Sequence, residues 1–309
     1  MHVTFRQLQV FAEVARRGSV LRAAEALHLT PPAVSMQIRE IESQVGLPLF
    51  DRAARRLSLS TTGEYFLVYA RRLLSTLKEA EDAMARFKGV ESGVLTIGMV
   101  SPAKYFLPRL LARFHTEHPA VDVRLRLGNR EQLVAMMQAN EVDLSVMGRA
   151  PKEWANRAEP FAVHPHVLVT APQHPFAQAE SVPAAALARE GFIVREPGSG
   201  TRAALEEYLD AHQIQPVFIM ELPSDEAIKQ AVMAGLGVSL VSLHTIGLEW
   251  RSGLIAAPHV EGLPLMRRWH LVNAAAKILS PAAEAFRYFM LENGESHLAA
   301  MFADETAAA

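Results

Sequence analysis

Residues 22–50, RAAEALHLTPPAVSMQIREIESQVGLPLF, constrain the fold more than any other stretch, because they read as two helices separated by a sharp turn. Ala23, Ala24 and Leu27 recur at helical spacing, and the small alanines allow another helix to approach closely. Thr30 is placed to cap a second helix, and Pro31 suits its first position, where a missing N–H leaves nothing unsatisfied. Val34, Ile38 and Ile41 then form a buried stripe, which leaves Ser35, Met36, Gln37 and Arg39 on or near the outer face. Short polar side chains at an exposed N-terminal turn can reach base edges in a DNA groove, although a generic helical hairpin shares the same outline.

The following DRAARRLSLS sharpens the reading. Arg52, Arg55 and Arg56 precede an alternating Leu57, Leu59 strand, as in the small hairpin of a winged helix-turn-helix. Residues 1–60 carry eight Lys/Arg against five Asp/Glu, a net +3, so the remainder carries −5 within an overall −2. A locally basic module on an acidic body suits a phosphate backbone, although a solvated arginine run looks similar.

With these residues in view, FRQLQVFAEVARRGSVLRAAEALHLTPPAVSMQIREIESQVGLPLFDR resembles the amino-terminal domain of the LysR-type transcriptional regulators. The resemblance implies a recognition helix in the major groove and a wing arginine in the minor groove. It carries over Pro32, Ser35 and Arg55 or Arg56 as contacts, alongside Thr30, Met36, Gln37 and Arg39 on the same helix and turn. Two positions depart from the family pattern. Pro31 stands where the family usually has a base-reading glutamine, and Met36 stands where an arginine is frequent. Loss of a bidentate amide removes about 1–3 kcal/mol of base discrimination. Met36 has two readings, contact with a thymine methyl group or a place beside a helix interface.

At 309 residues and half hydrophobic, the chain can bury several cores. Cysteine is absent, which excludes disulfides and thiol catalysis and is compatible with a reducing cytoplasm. Arg6, Glu13, Arg16 and Arg17 interrupt the amino terminus, so neither a signal peptide nor a membrane-spanning helix is expected, and a cytoplasmic location follows. After Thr62-Gly63, Phe66, Tyr69, Leu73, Leu77, Ala80, Met84 and Phe87 recur at threes and fours in one long amphipathic helix. Its stripe needs a partner, either the neighbouring domain or a second copy. The resemblance implies a dimerisation linker, a two-fold dimer on inverted-repeat DNA, and a homotetramer.

From Gly93 strands alternate with helices, which implies α/β architecture with parallel strands. Two such halves are expected, with crossovers near His164 and Pro264 and a ligand cleft between them. The expected organisation is a winged helix-turn-helix over 1–60, a linker helix over 61–90, one effector lobe from 91–163 and 268–295, a second from 164–267, and a tail over 296–309. The family counterpart of 91–295 is a two-lobed, periplasmic-binding-protein-like effector domain.

Three strand ends carry candidate effector chemistry: Ser101 with Lys104, Asn129 with Arg130, and the run Ser199, Gly200, Thr201, Arg202. Asp225 joins them at a helix start. Hydroxyls, cations and free helix N–H groups suit an anion, while ordinary turn and capping chemistry explains each segment singly. Ser101 and Lys104 also form S-x-x-K, but the S-D-N and K-T-G elements of serine acyl enzymes are missing. Pro197–Thr201 lacks a Walker A ending, and His164-Pro-His166 lacks a third ligand, so no enzyme, metal or cofactor is expected. A solute receptor is the remaining alternative, disfavoured by the helix-turn-helix.

Segments at 101–106, 128–131, 143–149, 164–169, 195–202 and 226–245 resemble the branch controlling carbon-fixation operons, the RuBisCO-operon (CbbR-like) regulators. That resemblance implies a phosphorylated metabolite or NADPH as effector, with ribulose 1,5-bisphosphate, 2-phosphoglycolate and phosphoenolpyruvate as candidates.

Overall fold

The structure is a computed structural model that describes residues 1–51, 57–87 and 93–302. The chain divides into two compact units, Met1–Lys88 and Gly89–Ala309.

In the first unit, α1 (Phe5–Arg17) starts at a reciprocal cap: Gln7 N–H donates to the Thr4 hydroxyl and Thr4 N–H donates to Gln7 Oε1. Gly18, at φ +60°, ends it in the left-handed region. Ser19 caps α2 (Val20–Leu27), and Thr30 caps α3 (Pro31–Val45) with proline in its first turn, as the sequence predicts. Phe11, Val14, Ala24, Val34, Ile38 and Ile41 close a core among the three helices. Phe50 of β1 (Phe50–Asp51) packs on Phe11, and β1 pairs antiparallel with β2 (Ser58–Leu59). Arg52, Arg55 and Arg56, the expected wing arginines, lie outside the described residues.

The long helix α4 (Thr61–Phe87) is 27 residues, about 40 Å of rod. Its start requires glycine, since a Cβ on Gly63 would stand 2.0 Å from the Leu49 carbonyl oxygen. Along its expected stripe, Phe66 packs on the three-helix core while Tyr69, Leu73 and Met84 are exposed. Leu67, Ala70 and Leu74 also pack on that core, and Tyr65 is exposed as well.

The second unit is built on a six-stranded sheet that runs, from one edge to the other, through residues 121–127, 93–99, 144–147, 265–274, 156–169 and 239–242. Strand β3 (Gly93–Met99) runs into a 3₁₀ turn at Ser101–Tyr105 and then α5 (Leu107–Glu117); β4 (Val121–Leu127), α6 (Arg130–Gln138) and β5 (Leu144–Met147) follow. Strands β4 and β5 flank β3 in parallel. The 14-residue β6 (Asn156–Val169) then carries the chain into the second half. There β7 (Gly191–Arg195), α7 (Gly200–Ala211), β8 (Val217–Leu222), α8 (Asp225–Met233), β9 (Ser239–Ser242) and α9 (Gly247–Arg251) follow in turn. Strand β10 (Leu265–Ala274) returns antiparallel to β6, and α10 (Pro281–Met301) covers the first half.

The crossovers between halves are therefore strand segments rather than loops. Phe161, Ala162, Trp269 and Leu271 belong to the first core, whereas Val167, Leu168 and Val169 pack in the cores of the second. Helix α10 continues past residue 295 to Met301, and Leu298 and Phe302 are buried in the first core, so residues 296–302 of the expected tail belong to the first half.

Candidate functional site

Helix α3 presents its polar and apolar positions as the spacing predicts. Val34, Ile38 and Ile41 are buried, Thr30, Pro32, Met36 and Arg39 are exposed, and Ser35 and Gln37 are half-buried. The Thr30 hydroxyl accepts the Ala33 N–H at 3.4 Å, and Arg39 Nε donates to the Ser35 carbonyl at 3.3 Å. Arg39 is the cation of this outer face.

In the second unit a cleft of about 470 Å³, open mouth included, lies between the halves. Strand ends and helix starts converge on it, so residues far apart in sequence share one wall. Ser101 enters from the turn after β3, Asn129 and Arg130 from the start of α6, and Ser199, Gly200 and Thr201 from the start of α7. The structure thus brings together six of the nine expected effector residues. The other three lie off this lining. Lys104 stands one 3₁₀ turn beyond Ser101, its ammonium 5.1 Å from the Tyr105 ring centroid. Arg202 is drawn away by Glu206 at 2.8 Å and Glu221 at 2.6 Å and lines only an adjoining outer groove. Asp225 is fully buried behind the wall, where it accepts from Arg195 at 2.7 Å.

Four guanidiniums, those of Arg130, Arg149, Arg195 and Arg267, line the cleft, and among the described residues no carboxylate does. Arg195 is clamped from behind: Glu196 takes its Nε and Nη2, and Asp225 takes its Nη1. Burial opposes its charge, but these carboxylates outweigh that cost and raise its pKa. Both Arg130–Glu153 contacts, at 2.7 and 2.8 Å, spend one nitrogen and leave Nε buried without a partner. Arg267 pairs with Glu207, yet burial lowers its pKa and the Arg149 guanidinium adds to the lowering. Arg149 is exposed at the cleft, with no ion-pair partner among the described residues. The inner wall therefore presents three paired guanidiniums and the unpaired Arg149, with fixed donors at the starts of α6 and α7.

The floor is aromatic and neutral. The His164 ring stacks on Trp269 at 3.8 Å and meets His166 at 4.3 Å. Burial drives the pKa of His164 well below its ordinary 6.5 and that of His166 to about 3, helped by neighbouring positive groups. Their Nδ1 atoms are buried without partners, while His164 Nε2 meets Ser242 Oγ at 2.9 Å. Trp269 Nε1 donates to His244 Nδ1, which fixes that ring's proton on Nε2. Gly148 must lack a side chain here, because its Cβ would fall 2.6 Å from His164 Nδ1. The two histidines considered for metal are thus part of this floor, and the described residues hold no group of three or more metal-ligating side chains.

Sequence reasoning missed Arg149, Arg195 and Arg267. Arg149 follows β5 and Arg195 ends β7, so the strand-end rule that selected Ser101 also reaches both. Arg267 has no such local signal; the pairing of β10 with β6 places it opposite His164.

Comparison with known proteins agrees with both units. Residues 5–64 match the bacterial regulatory helix-turn-helix protein, lysR family, and residues 88–295 match the LysR substrate binding domain. The HTH-type transcriptional regulator CfxR of Cupriavidus necator is 49% identical over 94% of this chain and 92% of that protein. The RuBisCO operon transcriptional regulator of Allochromatium vinosum is 45% identical over 94% and 96%. Among solved structures, the regulatory domain of CcmR from Synechocystis PCC6803, in complex with 2-PG, is 36% identical, with a TM-score of 0.63 over 65% of this chain and 97% of that one.

Proposed function

This chain belongs to the LysR family of transcriptional regulators, and we propose that it controls carbon-fixation genes in response to a small phosphorylated metabolite held in the interlobe cleft. It is a regulator, not an enzyme. The observation that carries the effector reading is the lining of four guanidiniums with no carboxylate among the described residues. Guanidinium forks and helix-start N–H groups match phosphate oxygens in charge and geometry. The CcmR relative that binds 2-PG makes 2-phosphoglycolate the first candidate, followed by ribulose 1,5-bisphosphate, phosphoenolpyruvate and NADPH.

In this account Arg149 supplies the uncompensated charge, Arg195 is held in place by Glu196 and Asp225, and Ser101 and Thr201 offer hydroxyls. On the DNA side, Thr30, Pro32, Ser35, Met36, Gln37 and Arg39 face the major groove of a double-stranded, inverted-repeat operator. Arg55 or Arg56 enters the minor groove. The exposed face of α4, with Tyr65, Tyr69, Leu73 and Met84, pairs subunits into a homodimer, two of which form a tetramer. The site of action is the cytoplasm, where a DNA-binding regulator meets its operator; no described helix is long and apolar enough to cross a membrane. Ligand shifts the lobe equilibrium only through unequal affinity for its two states, and that difference is what reaches the DNA heads.

A LysR regulator of another pathway, sensing a different anion, would use the same cleft chemistry. Titration calorimetry with the four candidates separates the two readings. Saturable binding of at least one, in preference to inorganic phosphate, supports the carbon-fixation assignment, and binding of none contradicts it.

A further inference from the structure

Resting on the assignment of α3 as the DNA-reading helix, we infer that Met36 reads a thymine methyl group, so that base recognition here runs through an apolar contact. The core stripe Val34, Ile38 and Ile41 fixes the inward direction of α3. Met36 lies two residues from both Val34 and Ile38, about 200° around the helix, and so points straight outward. It is 58% exposed and belongs to no apolar cluster among the described residues.

The neighbouring groups leave the outermost point of the helix start apolar. Pro31 and Pro32 are exposed and carry neither a side-chain donor nor a backbone N–H. The Thr30 hydroxyl accepts the Ala33 N–H as the helix cap and the Gln37 carbonyl oxygen is buried away from solvent, so neither presents its acceptor at the outermost point of the helix. The first two turns thus offer a groove two prolines and a methionine at their outermost points, with Ser35 half-buried beside them. An apolar tip cannot read the donors and acceptors of the major groove. The feature there that rewards it is the C5-methyl of thymine, which only T·A and A·T pairs present. A flexible thioether adapts to such a small target better than a branched side chain does.

The test uses the full-length protein and its own upstream operator, with binding followed by fluorescence anisotropy. Each half-site thymine is replaced singly by deoxyuridine, which removes the methyl and leaves every hydrogen-bonding group intact. At one position the wild type should lose about fourfold in affinity per half-site, the worth of one methyl withdrawn from water. Met36→Ala should bind the natural operator more weakly by a similar factor and be indifferent to deoxyuridine at that position, while Met36→Leu should keep most of the dependence. Equal losses for wild type and Met36→Ala at every thymine, or no loss at any, would overturn the role of Met36 and leave the regulator assignment standing. Failure of the wild type to select the operator over random DNA would overturn both.

Discussion

The outer face of α3, proposed to read DNA, and the cleft, proposed to hold the effector, are assembled in opposite ways. The face is one continuous helix, in which a threonine cap, a proline and a stripe at fours and threes set every outward side chain. The cleft draws on residues from Val100 to Arg267, and no local run contains its chemistry. A surface of the first kind tolerates side-chain exchange because its scaffold lies beneath it. In the second kind the recognising groups also hold the scaffold, as Arg195 does through Asp225.

The sharpest way to break that contrast is Arg195→Ala. Asp225 would remain buried and unpaired, and removal of one partner from a buried ion pair costs about 3–5 kcal/mol. Urea denaturation followed in the second unit should show that loss together with loss of ligand binding. A folded, fully stable variant would show that the cleft arginines are as dispensable to the scaffold as the outer face of α3.

Arg149→Ala sharpens the comparison from the other side. Arg149 is exposed and has no ion-pair partner among the described residues, so stability should hold while ligand affinity falls about tenfold to hundredfold, the 1.5–3 kcal/mol of a hydrogen bond to a charged group. Calorimetry and thermal melting together check both halves of this expectation.

Acid should single out the second unit next. Burial holds His166 at about 3 and His244 at about 4, with His164 well below 6.5. The unfolded chain takes up protons below about pH 6.5 that the folded chain refuses. Stability is therefore complete above that pH and falls as pH drops toward the folded values, by about 1.4 kcal/mol per pH unit for each histidine. Denaturation midpoints between pH 7.5 and 5 measure the slope, and replacing His166 with glutamine should flatten it.

The smallest expected effect is Thr30→Ala, which removes the α3 cap and costs about 1 kcal/mol. Thermal unfolding of the first unit reads it, with the ligand affinity of the second unchanged.

The two modes of assembly also decide what the sequence revealed. Thr30, Pro31 and the Val34-Ile38-Ile41 stripe announced α3 because capping and period are local. The strand-end rule found Ser101, Asn129, Arg130 and Ser199–Thr201, since each begins a turn or helix just after a strand. It did not separate lining from support. Arg202 has the chemistry of an anion ligand, but Glu206 and Glu221 claim it. Arg267 was invisible because only the long-range pairing of β10 with β6 brings it to the cleft. The α4 period marked the apolar positions but not which of them the three-helix core covers, because that depends on where this core ends along the rod.

Binding of the protein to its own operator, with and without 2-phosphoglycolate, in wild type and Arg149→Ala across a salt series, tests the central claim that an anion in the cleft governs the DNA-reading unit. The account predicts salt-dependent operator binding by both proteins and a ligand-induced change in apparent Kd that the variant loses. An equal ligand response in both proteins would contradict it.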